Sequence, residues 1–136
     1  MPVHDWARVD AGTFHGFHTA WLTHLSEALN GGRLGSGFLE PVYQRAMEVE
    51  LADRKLPARP QPEIVVLYKG QPLPDVTYRP DFICFGDIVV ELKALAAITG
   101  VERAQLLNYL KATGFRRGLL LNFGGESLQF ERMVYG

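Results

Sequence analysis

Cysteine is nearly absent from this sequence, which has 136 residues and a single cysteine, Cys84. One cysteine allows no internal disulfide and excludes a zinc site built from several thiolates. Cys84 lies in the apolar run 82–85, so we predict that it is a small buried hydrophobic residue.

Long apolar runs and an excess of one charge are also missing. No apolar run approaches membrane-spanning length, and the N-terminus lacks a basic stretch followed by an apolar segment, which predicts a cytoplasmic protein with no membrane partner. The formal net charge of -1 gives no overall positive field for nucleic acid. Any such binding must come from a local patch, for which the candidates are Lys69, Arg103, Lys111, Arg116 and Arg117.

The composition, with 47% hydrophobic and 21% charged residues, is that of a globular protein with the length of one core. A glycine-rich break at 30–37 separates an N-terminal leader, 1–32, from the body, 33–136. In the leader, apolar residues at spacings of three and four predict a helix from about Thr13 to Asn30. These residues are Phe14, Phe17, His18, Trp21, Leu22, Leu25 and Leu29.

The body changes period several times along its length. Helical spacing over Phe38–Arg54, with Pro41 in the first turn, gives way to alternating runs that predict three strands in antiparallel succession. Helical spacing then returns and ends at Gly114, a C-cap glycine, before a closing hairpin. The order predicts an α+β fold with a central mixed sheet flanked by helices. The predicted strands are Glu63–Tyr68, Thr77–Phe85, Ile88–Leu92, Gly118–Phe123 and Ser127–Val134, with the last helix at Val101–Thr113 and turns at 69–72 and 86–87.

Two acids and a lysine lie at the ends of two of these apolar strands. Glu91 and Lys93 are two residues apart and therefore share a face of their strand. Asp81 joins them only if the turn at Gly86 has the right length. A two-residue loop pairs Phe85 with Ile88 and leaves Glu91 on the far face, whereas a three-residue loop or a bulge places Asp81 opposite Glu91.

The chemistry of this group points to a metal. Carboxylates among apolar strands must be paired, solvated or bound to a cation, because their desolvation is costly. Hard oxygen ligands suit Mg²⁺ or Mn²⁺, which would polarise a phosphate, while Lys93 could orient or deprotonate the attacking water or hold a phosphate oxygen. The competing interpretation is a buried salt bridge between Lys93 and Glu91 or Asp81.

Two pairs at helical spacing add to the functional interpretation. Glu40 lies in a helix's first turn and Tyr43 one turn further on the same side, although a first-turn acid alone is common because it complements the helix dipole. Gln105 and Tyr109 form a polar pair on one face of the helix that follows the strands.

In order along the chain, these residues resemble the PD-(D/E)XK nuclease superfamily and, within it, the bacterial GxxExxY proteins. The resemblance covers about 34–134 and rests on Gly37-x-x-Glu40-x-x-Tyr43, Tyr78-Arg79-Pro80-Asp81, Val89-Val90-Glu91-Leu92-Lys93-Ala94, 105–114 and 118–124. It implies an α-β-β-β-α-β core, the order that the periodicity predicts, with 33–136 as the nuclease-like domain.

The resemblance also implies roles for the site residues. Asp81 and Glu91 would bind the catalytic metal, with the Leu92 carbonyl as a possible extra ligand. Glu40 would complete the site, often through water, and Lys93 would activate water. Gln105 and Tyr109 resemble a Q-x-x-x-Y element that helps hold the active site and the nucleic acid.

Two functions from different classes follow. The first is Mg²⁺- or Mn²⁺-dependent hydrolysis of phosphodiester bonds in DNA, and the alternative is a non-catalytic module of the same fold that binds nucleic acid or a protein partner. A homodimer is plausible because so small a domain offers little surface to grip a duplex. The leader resembles the start of a different bacterial family of unknown function. We interpret its His15 and His18 as part of an amphipathic helix that packs its aromatic residues, rather than as metal ligands.

Overall fold

The computed structural model describes residues 22–27, 29 and 37–136. Besides the helical residues 22–27, residues 37–136 contain two helices and seven strands. In chain order these are α1 Glu40–Asp53, β1 Ala58–Pro60, β2 Ile64–Tyr68, β3 Gln71–Tyr78, β4 Phe82–Cys84, β5 Ile88–Lys93, α2 Gly100–Thr113, β6 Arg117–Asn122 and β7 Gln129–Val134.

Residues that favour helix ends mark the start of α1 and both ends of α2. Pro41 lies in the first turn of α1, as predicted, where its missing N–H removes no helical hydrogen bond. Thr99 caps α2 and Glu102 completes a capping box, in which each side chain binds the other's backbone N–H. Gly114 ends α2 in the left-handed conformation, which confirms the predicted C-cap.

Five strands form one mixed sheet in the order β1-β4-β5-β6-β7. β1, β4 and β5 are successively antiparallel, β5 and β6 are parallel across the α2 crossover, and β7 returns antiparallel to β6 as the predicted hairpin. Helix, three antiparallel strands, helix and parallel strand is the predicted α-β-β-β-α-β order. The fold class is therefore confirmed.

The identity of the first core strand differs from the prediction. That strand is the short β1, which has no alternating pattern, whereas the predicted strand Glu63–Tyr68 belongs to a hairpin inserted between β1 and β4. The hairpin, β2 with β3, forms its own two-stranded sheet. The predicted turn 69–72 is shorter, because Gln71 and Pro72 already belong to β3.

The prediction of a single strand over Thr77–Phe85 is wrong. The structure has the end of β3 and all of β4 in this range. Tyr78 pairs with Ile64 in the small sheet, whereas Phe82 pairs with Val90 in the large one. The chain crosses between the sheets over 79–81, where Pro80 has no N–H to continue a ladder. Asp81 therefore lies at a strand entrance.

Two hydrophobic clusters pack on opposite faces of the large sheet. The first lies on the side of α1 and includes Cys84, which is buried as predicted, together with the leucines at 22, 25 and 29. Residues 22–27 are helical, and His24 and Glu27 are exposed, so the described part of the leader is an amphipathic helix. The aromatic residues and histidines predicted at 14–21 lie outside the described residues.

The second cluster lies on the side of α2 and includes the alternate residues Ile83 of β4 and Val89 of β5. Because strand side chains alternate between faces, Asp81, Glu91 and Lys93 share this face. The described helices include none long and apolar enough to cross a membrane.

Candidate functional site

The turn between β4 and β5 fixes the geometry of the site. Cys84 pairs with Ile88, so the loop has the three residues 85–87. Phe85 and Gly86 have φ of 55° and 81°, a left-handed conformation that is easy for the glycine. The same register, continued by one pair, sets Asp81 opposite Glu91. Of the two alternatives left open by the sequence, the three-residue loop is the one observed.

The backbone of the neighbouring strand holds Asp81 in place. Leu92 donates its N–H to Asp81 Oδ2 at 2.8 Å, and the backbone N–H of Gln61 donates to the carbonyl of Asp81 at 2.9 Å. The Leu92 side chain is fully buried in the core. Asp81 is thus tied to both β5 and the end of β1.

A tyrosine holds Glu91. The Tyr78 hydroxyl donates a hydrogen bond to Glu91 Oε1. The Tyr78 ring stacks on Tyr109 of α2, with centroids 3.8 Å apart and planes inclined by 11°. Tyr109 therefore supports Glu91 through Tyr78.

Burial and mutual repulsion make the two acids hard to ionise together. Burial raises the pKa of Glu91 to about 7, with a further rise from the Asp81 charge and opposing effects from the Tyr78 hydrogen bond and Lys93. Burial also raises the pKa of Asp81, against the lowering effects of the Leu92 N–H, Lys93 and a side-chain hydrogen bond with Glu91. Both carboxyls therefore favour the protonated form more than exposed acids do, and a bound cation would favour their ionised form.

Lys93 lies at the end of β5 and is only partly buried. Its charge lowers the pKa of Glu40, Asp81 and Glu91 alike, so its ammonium is within electrostatic reach of all three acids. Within the described residues, no acid forms an ion pair with it. The alternative of a closed structural salt bridge therefore has no support here.

Glu40 approaches the same group from the other side of the sheet, as the first residue of α1. Burial raises the pKa of its carboxyl, the negative charge of Asp81 raises it further, and Lys93 opposes both effects. Glu40 and Asp81 also line one cavity of about 420 Å³. The four predicted residues therefore lie close enough to interact electrostatically. They are Glu40, Asp81, Glu91 and Lys93.

The donor set fits a hard divalent cation. Mg²⁺ is usually held by one or two carboxylates and keeps several waters, and Asp81 with Glu91 supplies two. Among the described residues, no group of three or more histidine, cysteine or acidic side chains forms a compact metal cluster. Asp81 and Glu91 are the two acids that the strand register sets opposite each other, and Glu40 lies on α1.

The other predicted residues lie at different distances from the acids. Tyr43 is buried, stacks on Phe123 at 4.6 Å, and accepts a hydrogen bond from the Phe38 N–H at 3.3 Å, so it holds the entrance of α1 before Glu40. Gln105 is exposed on α2, one turn before Tyr109.

A buried amide supports the loop that follows Lys93. Asn122 is fully buried, and its side chain accepts from the Leu95 N–H at 2.8 Å and donates to the Leu95 carbonyl at 2.9 Å. The next residue, Phe123, donates its N–H to the Lys93 carbonyl at 2.8 Å. Gly124 is required beside them, because a Cβ there would lie 2.2 Å from the Leu95 carbonyl oxygen.

Three contributors to this region were not predicted from the sequence: Tyr78, Asn122 and Gln44. Gln44 follows Glu40 by four residues, so the helical spacing that singled out Gln105 and Tyr109 would also have found it. Tyr78 and Asn122 carry no such signal, because their partners are more than ten residues away in sequence.

Comparison with known proteins identifies the family of the chain. The family model of the PD-(D/E)XK nuclease superfamily matches residues 30–133. The chain belongs to the PD-(D/E)XK nuclease superfamily. A comparison with curated proteins returns no match.

A solved structure titled "Crystal structure of SSO0001" has a similar fold, with a TM-score of 0.54 and 18% sequence identity. The match covers 70% of this chain and 50% of the other, so this chain corresponds to half the length of that protein. At this identity the likeness concerns the fold alone.

Proposed function

We propose that this protein is a metal-dependent nuclease that hydrolyses phosphodiester bonds of DNA, with Mg²⁺ or Mn²⁺ as its cofactor. The observation that carries the proposal is the three-residue loop, which sets Asp81 opposite Glu91 while Lys93 shares their face. Membership of a nuclease superfamily supports the same chemistry.

Each residue has a role that its surroundings support. Asp81 and Glu91 would hold the metal, with Glu40 and the Leu92 carbonyl as further oxygen ligands, directly or through water. When bound, the ion neutralises the acids and polarises the phosphate. Lys93, which has no acid partner among the described residues, is able to orient the attacking water or hold a phosphate oxygen.

Hydrogen bonds and ring stacking around the two acids would keep this arrangement rigid. Tyr78, backed by Tyr109, orients Glu91, and the Leu92 N–H orients Asp81. Such partners fix the direction of ligand oxygens before the metal arrives. Gln105 is exposed one turn before Tyr109, and we assign it to the surface that would contact nucleic acid.

Several finer assignments belong to the same proposal. The motif Gly37-x-x-Glu40-x-x-Tyr43 supports membership of the bacterial GxxExxY proteins, and the leader's resemblance to a different bacterial family supports a fusion at about 32/33. A homodimer would widen the surface available for a duplex.

Cleavage by the purified protein tests the proposal. Wild type is incubated with single-stranded, duplex and branched DNA, and with RNA, in Mg²⁺, Mn²⁺ or EDTA. We expect DNA cleavage that EDTA abolishes, and a loss of about 10²-fold or more in Asp81→Ala and Lys93→Ala. Binding without cleavage would support the non-catalytic module instead, and cleavage by both variants at the wild-type rate would refute the assigned site.

A further inference from the structure

A buried glutamine beside the acids has no hydrogen-bond partner. Gln44 is only 3% exposed, and in the described part of the chain its Nε2 has no acceptor. A buried unpaired amide donor destabilises the folded protein, so such groups are rare unless something binds them. The helix spacing places Gln44 one turn after Glu40 on the same side of α1.

Gln44 lines the cavity that Glu40 and Asp81 also line. The cavity measures about 420 Å³, within the usual range for small-ligand sites. Its lining residues are Glu40, Pro41, Gln44, Arg45, Gln61 and Asp81. Besides the two acids, three of these carry N–H donors, and one of the three is a cation.

We propose that this cavity binds the nucleotide next to the scissile bond, and that the Gln44 amide donates a hydrogen bond to an oxygen of that nucleotide's phosphodiester. The inference rests on the proposed function, because it takes nucleic acid as the ligand. The terminal torsion of a glutamine is soft, so the amide is able to turn toward an acceptor in the cavity at little cost.

A phosphodiester matches the N–H donors that line the cavity. A carboxamide, a guanidinium and a second carboxamide together offer N–H groups to a group that only accepts hydrogen bonds. Arg45 is shared, since it also pairs with Glu48 at 3.2 Å on the surface. A ligand acceptor would therefore stabilise Gln44 most among these donors, because its buried Nε2 has no acceptor within the described residues.

The proposal predicts opposite effects on stability and on binding. Gln44→Leu removes a buried unpaired donor and leaves a side chain of similar volume, so thermal stability should stay the same or rise. Affinity for a labelled oligonucleotide, measured by fluorescence anisotropy in Ca²⁺, should fall about tenfold. Gln71→Leu is the matched control, because Gln71 is exposed at the tip of the β2–β3 hairpin, and it should change neither quantity.

A methylphosphonate scan identifies the acceptor. Replacing one non-bridging oxygen at a time should weaken binding to wild type at one particular phosphate next to the scissile position. Gln44→Leu should be insensitive at that phosphate and unchanged at the others. The same sensitivity in both proteins, a loss of stability in Gln44→Leu, or no oligonucleotide binding by wild type would each overturn the proposal.

The two proposals fail in different ways. Binding that depends on Gln44 without any cleavage in Mg²⁺ would refute the nuclease and keep the contact between Gln44 and a phosphodiester oxygen. Cleavage by wild type that Gln44→Leu matches in both kcat and KM would keep the nuclease and refute the subsite.

Discussion

The hydroxyl of Tyr78 donates a hydrogen bond to Glu91 Oε1, while the Tyr78 ring stacks on Tyr109. This contact joins three elements, β3, β5 and α2, at one carboxylate. It links Tyr109, the tyrosine of the Q-x-x-x-Y pair of α2, to Glu91 without direct contact.

Tyr78→Phe keeps the stacked ring and removes only the hydroxyl. We expect Mg²⁺ affinity, measured by calorimetry at pH 7, to fall about tenfold, because a hydrogen bond to the charged Glu91 is lost. Tyr68→Phe is the control, since Tyr68 is exposed on the hairpin. Equal affinities in wild type and Tyr78→Phe would show that the contact does not prepare Glu91 for a metal.

The stability of the metal-free protein should depend on pH through Glu91. Its pKa is raised from an ordinary 4.5 to about 7, chiefly by burial, so the folded state favours the protonated form. This contribution is fully present below about pH 4.5 and is lost as the pH rises through about 7. Thermal unfolding in EDTA should therefore show a decline over this window that is weaker in Glu91→Gln.

Added Mg²⁺ should reverse that decline in wild type, because the cation replaces the proton. The gain in melting temperature on adding Mg²⁺ should increase from pH 6 to pH 8, and Glu91→Gln should show little gain. An identical pH profile for the two proteins in EDTA would contradict the assignment.

The buried amide of Asn122 should stabilise both the fold and the loop after Lys93. Asn122→Ala leaves the Leu95 N–H and carbonyl without their side-chain partner, and we expect a loss of about 2–4 kcal/mol in the free energy of unfolding. Urea denaturation measures it. Asn108→Ala, at an exposed position of α2, should change stability by about 0.5 kcal/mol or less.

The leader should contribute to the same core as the nuclease-like domain. Leu25 is fully buried in the cluster that contains Tyr43 and Met47. Leu25→Ala should cost about 2–5 kcal/mol of unfolding free energy, whereas His24→Ala, at the exposed neighbour, should cost little. Equal, small effects would indicate that the leader is a separate unit ending near residue 32.

Local pattern was sufficient to predict the elements with strong periodicity. α1, α2 and the β6–β7 hairpin follow from apolar spacing and from Pro41 and Gly114, whose backbone constraints mark helix ends. The three-residue loop at Gly86 has no local signal of its own. It follows only from the condition that Asp81 and Glu91 face each other, because loop length fixes the register.

Non-local contacts account for what was missed. β1 has three residues and no alternation, and pairing with β4 alone defines it as a strand. The split of Thr77–Phe85 depends on Tyr78 and Phe82 pairing with different sheets, which no local signal specifies. Tyr78 and Asn122 likewise have roles only through partners distant in the chain.

The most direct test of the central claim is to locate a metal ion. Crystals of the wild-type protein soaked in Mn²⁺ should show an anomalous difference peak between the carboxylates of Asp81 and Glu91, and Asp81→Asn crystals treated in the same way should lose it. A peak elsewhere, or no peak between these carboxylates at saturating Mn²⁺, would contradict the account.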